Sequence, residues 1–204
     1  MADAYVEERA GSPRSGPVGW NSRGYLPHFD AGRGVQHIVF RLADALPAAV
    51  LSRLEKSPAK ERVGAAEAAL DAGLGSRVLG DPRIAAMICD ALRYFDARRY
   101  RLEAWCVMPT HVHVLVEQTP GWPLAAVVHG WKSFTGNRAN EILGRRGRFW
   151  SPDYFDRIIR GEPDFEATRR YIEENPATAG LCAEPAAWRW SSAGANGARA
   201  SSPL

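Results

Sequence analysis

The chain has 204 residues, with 26 Lys and Arg against 23 Asp and Glu, for a formal net charge of +3. This length predicts one globular domain, and a hydrophobic content of 46% excludes a chain disordered by composition. No apolar run approaches the roughly 20 residues of a membrane helix, and the acidic start does not resemble a signal peptide. Cys89, Cys106 and Cys182 are too dispersed for a disulfide framework or a zinc cluster, so we expect a cytoplasmic protein without membrane segments.

Both ends of the chain differ in composition from its middle. Glycine and proline are dense in residues 1–34, which predicts an irregular and partly flexible N-terminal segment. Residues 193–204 are small and polar and predict a disordered tail. The predicted domain therefore covers residues 35–192.

Apolar periodicity predicts the elements of this domain. In chain order they are a strand over residues 35–42, a helix from residue 47, a helix over 62–73, a helix from residue 82, strands over 102–108 and 111–117, a helix over 123–143, a short strand within 149–159 and a helix over 164–175. The tight break between the second and third strands predicts an antiparallel hairpin, and Pro176 is expected to end the last helix. This order predicts an α+β fold, an antiparallel sheet with its helices on one face.

Two histidines lie two positions apart in the third predicted strand. Alternate side chains of a strand share a face, so His111 and His113 point the same way. Val112, Val114 and Val116 point the other way and can pack against helices. Two neighbouring imidazoles can bind a divalent metal ion. A pair of surface or hydrogen-bonded histidines is the simpler interpretation of this spacing alone.

The last predicted helix carries a tyrosine and an asparagine on one face. Tyr171 and Asn175 are four positions apart, and the amide oxygen of Asn175 could reach outward to a metal ion. Taken alone, the pair is explained more simply as a half-buried aromatic residue and a C-terminal cap before Pro176.

Residues 129–160 combine basic and aromatic side chains. They contain seven Lys and Arg against three acidic residues, a larger positive excess than that of the whole chain. Cations for phosphates and rings for unpaired bases are typical of single-strand binding, and we expect this surface beside the metal site. The candidate contacts are Lys132, Arg138, Arg148 and Arg157. A solvated basic surface is the alternative.

Four blocks of the sequence together resemble one family. They are residues 105–117 (WCVMPTHVHVLVE), 149–160 (FWSPDYFDRIIR), 171–181 (YIEENPATAGL) and 188–192 (WRWSS). The blocks resemble those of HUH-type single-tyrosine transposases, especially the REP-associated tyrosine transposases, which act on palindromic repeats outside genes. The resemblance extends from about Gly19 to Ser192 and implies the ferredoxin-like or RRM-like palm of that family.

The resemblance implies roles for four residues. His111, His113 and Asn175 would be metal ligands, and Tyr171 would be the nucleophile that forms a 5′-phosphotyrosine link with single-stranded DNA. It also implies Mg²⁺ or Mn²⁺ as the cofactor, a DNA hairpin as the partner, and a monomer or homodimer. Thr110 stands where relatives often have Asn, which leaves these four positions unchanged.

Alternatives remain open for the nucleophile and for the activity. Tyr154 lies in a matching block and is a rival nucleophile, although no amide follows it four residues later. A hydrolytic metallonuclease, in which water replaces tyrosine, and a catalytically silent DNA-binding or RNA-binding protein would use the same fold. The helix predicted over residues 62–73 has no assigned role.

Overall fold

The computed structural model describes residues 19–22, 27–30, 34–73 and 75–194. Most of the N-terminal segment predicted over residues 1–34 and most of the tail predicted over 193–204 therefore lie outside the described residues. Two short strands, β1 (Gly19–Ser22) and β2 (Pro27–Asp30), pair antiparallel within the segment that was predicted to be irregular. Pro27 is the first residue of β2, a position where the missing N–H of proline is tolerated.

Every strand and helix predicted over residues 35–175 is present, and the α+β class is confirmed. The elements are β3 (Gly34–Arg41), α1 (Ala48–Lys56), α2 (Ala59–Asp71), α3 (Pro82–Tyr94), β4 (Tyr100–Val107), β5 (His111–Gln118), α4 (Leu124–Ile142), β6 (Phe155–Ile158) and α5 (Glu162–Thr178). Single 3₁₀ turns lie at Val78–Gly80 and Pro185–Ala187. Among these helices, none combines the length and the apolar character that crossing a membrane requires.

Strands β3 to β6 form one antiparallel sheet in the order β4-β5-β3-β6. β5 is a central strand, which pairs with β4 across the tight turn and with β3 along its whole length. The Met108 N–H donates to the His111 carbonyl at 2.9 Å and closes the turn. The predicted hairpin is therefore confirmed.

The two faces of the sheet belong to separate cores. Val112, Val114 and Val116 pack with α3 and α4 in the main core, as their alternation predicted. On the other face, Leu115 packs with Ile172 of α5 in a smaller core. The helices thus cover both faces rather than one, because α5 crosses the face that carries the histidines.

The last helix does not end at Pro176, contrary to the prediction from the sequence. It continues to Thr178, and Gly180 follows with a φ of 69°. Proline removes one helical hydrogen bond at this position, but the carbonyls of Asn175 and Pro176 still accept from the N–H groups of Ala179 and Leu181, both at 2.9 Å. Asn175 consequently lies within the helix rather than at its end.

A buried tyrosine connects three elements of the main core. Tyr100 on β4 is 1% exposed. Its hydroxyl donates to the Leu92 carbonyl of α3 at 2.6 Å and accepts from Nε1 of Trp131 on α4 at 2.9 Å. The hydroxyl therefore satisfies a donor and an acceptor that are both removed from water.

Replacing Tyr100 with Phe should lower the free energy of unfolding by about 1–3 kcal/mol, because both buried partners lose their hydrogen bond. Chemical denaturation measures the change. Tyr94→Phe is the matched control, since Tyr94 is 37% exposed. Equal stabilities of the two variants would contradict the structural role of the Tyr100 hydroxyl.

Candidate functional site

His111 and His113 lie side by side at the start of β5 and are 1% and 0% exposed. Their Nε2 atoms face each other at 2.8 Å. Behind them, Thr110 Oγ1 lies 2.8 Å from Nδ1 of His111. Nε2 of His37, on β3, lies 3.1 Å from Nδ1 of His113. With both Nδ1 atoms engaged, the two Nε2 atoms are directed toward one point.

Burial keeps two of these imidazoles neutral. It is the main reason that the pKa of His37 is lowered to about 3, and electrostatic interactions with Arg157 and His111 lower it further. Burial also lowers the pKa of His113 well below its usual value, with smaller effects from His111 and His37. Since metal ions bind the neutral form of imidazole, burial keeps His113 ready to act as a ligand.

Helix α5 brings Tyr171 against His37 and His113 and carries Asn175 one turn later. The ring centroid of Tyr171 lies 5.5 Å from that of His113 and 6.1 Å from that of His37, edge-on to both. Asn175 is buried, and among the described residues its Oδ1 has no hydrogen-bond partner. Leaving a buried amide oxygen unsatisfied is costly, and a metal ion is one group that would satisfy it. The structure thus brings the four predicted site residues together.

A carboxylate that the sequence did not indicate completes this cluster. Oδ1 of Asp71, the last residue of α2, lies 3.4 Å from Nε2 of His111 and 4.0 Å from Nε2 of His113. Oδ1 also accepts from the Asn175 amide at 3.3 Å, and Oδ2 accepts from the Tyr171 hydroxyl at 3.1 Å. Asp71, His111 and His113 each offer one ligand atom, and these atoms lie within 4.8 Å of one another, so the three could bind a divalent metal ion.

The carboxyl group of Asp71 is ionised, and a small cavity adjoins it. Burial raises the pKa of Asp71, but hydrogen bonds and electrostatic interaction with His111, and hydrogen bonds from Asn175 and Tyr171, bring it below its usual value. The cavity has a volume of about 100 Å³ and is lined by Asp71, His111 and Arg77, among others. The cavity leaves room beside the Asp71, His111 and His113 cluster, next to the positive charge of Arg77.

Asp71 and His37 are the site residues that the sequence analysis missed. Each had a weak signal: Asp71 is an acid at the end of a helix, where the helix dipole disfavours negative charge, and His37 is a polar residue within an apolar strand. His37 reaches the site because it pairs with Leu115 on β5 and shares the face of His113. Such a pairing cannot be read from local sequence.

Most of the predicted DNA contacts lie away from the histidines. Lys132 and Arg138 are on α4, which packs on the valine face of the sheet. Lys132 donates to two backbone carbonyls in the loop before β6, Arg138 forms an ion pair with Glu141, and Arg148 is exposed after α4. The expectation that the whole basic segment lies beside the metal site is therefore wrong.

Arg157 is the exception among the four. It lies on β6 opposite His37, on the face of the site. Its guanidinium donates to Asp164 at 2.8 Å and to Thr168 at 2.6 Å, both on α5. In this structure Arg157 connects β6 to the helix that carries Tyr171.

A comparison with protein families matches residues 82–175 to the family described as "Transposase IS200 like". The matched range contains the histidine pair of β5 together with Tyr171 and Asn175 of α5. No curated protein matches the chain.

Two solved structures are similar to this chain. A REP-associated tyrosine transposase bound to a REP hairpin is 16% identical with a TM-score of 0.53, and the match covers 84% of this chain and 81% of that one. A candidate transposase from Deinococcus radiodurans R1 is 20% identical with a TM-score of 0.42, over 76% of this chain and 96% of that one. The first similarity supports the fold. The family model covers residues 82–175, slightly less than half of the chain, and this range includes the histidine pair and the part of α5 that carries Tyr171.

Proposed function

We propose that this protein cleaves and rejoins single-stranded DNA beside a repeat hairpin through a covalent link to Tyr171. The observation that carries the proposal is the edge-on contact of Tyr171 with the buried His113, both inside the region that matches the IS200-like transposase model. The Tyr171 ring packs against His37 and His113 of its own chain, which supports activity as a monomer, and a homodimer is compatible with the same contacts. A cytoplasmic location, with access to DNA, is part of the proposal.

The proposed reaction exchanges one phosphoester for another. The phenolic oxygen of Tyr171 attacks the scissile phosphorus, and the bond between phosphorus and the 3′ oxygen breaks. The phenol loses a proton and the leaving oxygen gains one, which yields a 5′-phosphotyrosine and a 3′-hydroxyl. Because the energy of the phosphoester is kept, a 3′-hydroxyl can reverse the step without ATP. A free phenol has a pKa of about 10, so the site must favour loss of its proton.

The donor set fits a divalent metal ion. Nε2 of His111, Nε2 of His113 and Oδ1 of Asn175 would bind it, and the fit rests on the unsatisfied amide oxygen and the two convergent nitrogens. Mg²⁺ or Mn²⁺ is the proposed cofactor, and two imidazoles favour Mn²⁺. When bound, such an ion would polarise the scissile phosphate and stabilise the charge that develops on it. The chain's own residues orient the phenol, whose ring packs edge-on against His37 and His113.

A DNA hairpin is the proposed partner, because the similar REP-associated transposase is described bound to a REP hairpin. The cavity beside His111, with Arg77 in its wall, would accommodate a phosphate. Arg148 is exposed and available to bind backbone phosphates farther away. Lys132, Arg138 and Arg157 are further candidate contacts, each of which would first exchange a partner within the protein.

Replacing Tyr171 with Phe should abolish a covalent protein–DNA adduct. The protein is incubated with Mg²⁺ or Mn²⁺ and labelled single-stranded DNA that carries a repeat hairpin, and the products are separated on a denaturing gel. Tyr154→Phe is the matched control, since Tyr154 lies in the main core and should not be needed for the adduct. An adduct that persists in Tyr171→Phe and disappears in Tyr154→Phe would show that Tyr154, and not Tyr171, is the nucleophile. Cleavage without any adduct would indicate the hydrolytic alternative.

Replacing His37 with Phe should weaken Mn²⁺ binding about 10–100-fold, because Nδ1 of His113 loses the contact that orients its ring. Titration calorimetry measures the affinity. His129→Phe is the control, since His129 is exposed on α4. Unchanged affinity in a folded His37→Phe protein would show that His37 does not orient His113.

Binding of single-stranded DNA should weaken with salt, with a logarithmic slope of about 0.7 for each phosphate contact. Arg148→Gln should reduce this slope by about 0.7 if Arg148 binds one phosphate. The control is Arg83→Gln, since the Arg83 guanidinium already forms an ion pair with Asp81 at 2.7 Å. Fluorescence anisotropy at several salt concentrations measures the slope, and a flat response would contradict the proposed contacts.

A further inference from the structure

We propose that Asp71 has two roles in this site. Its Oδ1 binds the divalent ion together with His111 and His113, and its Oδ2 positions the Tyr171 hydroxyl. This inference rests on the proposed strand transfer and extends it to the helix pair α1–α2, which precedes the region that matches the transposase family.

The two oxygens of Asp71 serve different groups. Oδ1 faces the metal-binding side, 3.4 Å from Nε2 of His111, and accepts from the Asn175 amide at 3.3 Å. Oδ2 accepts from the Tyr171 hydroxyl at 3.1 Å. A single carboxylate therefore connects the ligand cluster to the nucleophile, and it fixes the direction of the phenolic oxygen.

The position of Asp71 is unfavourable for its own helix. It is the last residue of α2, where the helix dipole disfavours an acid, and the last turn of α2 has no basic residue to compensate. The Asp71 carboxylate accepts hydrogen bonds from Tyr171 and Asn175 of α5, and His111 lies nearby. The placement of this charge is thus explained by the site and not by the stability of α2.

Asp71 supplies a negative charge, which the other proposed metal ligands lack. Two imidazoles and an amide carry no charge when they are neutral, whereas Mg²⁺ and Mn²⁺ prefer carboxylate oxygens. The Asp71 side chain is 31% exposed, while His111 and His113 are almost completely buried. Asp71 therefore forms the open side of the cluster, next to the cavity that DNA would enter.

The backbone after Asp71 is held against the sheet. Gly75 has a φ of +82°, and a Cβ at this position would lie 2.1 Å from the carbonyl oxygen of Asp44. Leu79 then donates to the carbonyl of Pro109, in the turn that leads into β5, at 3.2 Å. Gly75 and Leu79, which follow Asp71 closely in the chain, are thus held against the loop after β3 and the turn before β5, which supports a fixed position for the Asp71 carboxylate.

The test measures Mn²⁺ affinity by titration calorimetry and the Mn²⁺ environment by electron paramagnetic resonance in the full chain without DNA. Asp71→Asn and Asp71→Ala should weaken binding about tenfold or more and change the spectrum. Asp90→Asn, which removes an exposed carboxylate from α3, should change the affinity less than about twofold. Thermal denaturation establishes that each variant is folded, and Asp71→Asn keeps the shape of the side chain should Asp71→Ala fail to fold.

The adduct assay separates this inference from the proposed function. If the natural protein forms the adduct and folded Asp71→Asn matches Asp90→Asn in affinity, spectrum and adduct yield, the role of Asp71 is overturned and strand transfer stands. If Mn²⁺ binding depends on Asp71 but no adduct forms, strand transfer fails and the ligand assignment stands. If the natural protein binds neither Mn²⁺ nor Mg²⁺, the ligand assignment is overturned.

Discussion

The alternation of side chains along β5 is the constraint on which the site depends. Its valines enter the main core, which forces His111 and His113 onto the opposite face. Because β5 pairs on both sides, a slip of one residue would turn the valines toward the polar site and the histidines into the apolar main core. The same pairing brings His37 of β3 behind His113. Hydrophobic burial thus sets the direction of the polar groups.

The small core on the histidine face is what docks the nucleophile helix. Ile172 is fully buried against Leu115, the Tyr171 ring contacts His113, and Asn175 donates to Asp71 beside the histidines. Burial lowers the pKa of His113 and, among the described residues, leaves the Asn175 amide oxygen without a hydrogen-bond partner. A buried acceptor without a hydrogen bond is costly, and a bound cation would offset that cost.

The fold separates basic residues that lie close together in the sequence. Basic residues that are consecutive in the chain separate onto different faces, because α4 lies on one side of the sheet and β6 at its edge. Arg157 connects β6 to α5, whereas Arg138 is paired with Glu141 on α4. Only a part of the positive excess in residues 129–160 is therefore directed toward the histidines.

The sequence by itself determined the elements, the hairpin, the shared face of His111 and His113, and the pairing of Tyr171 with Asn175 along one helix. These follow from periodicities of two and about 3.6 residues, which are local. The tertiary structure decided that α5 covers the histidine face, that Pro176 is accommodated, and that Asp71 and His37 join the site. These depend on strand register and helix docking, which bring together residues far apart in the chain, and local sequence does not specify such contacts.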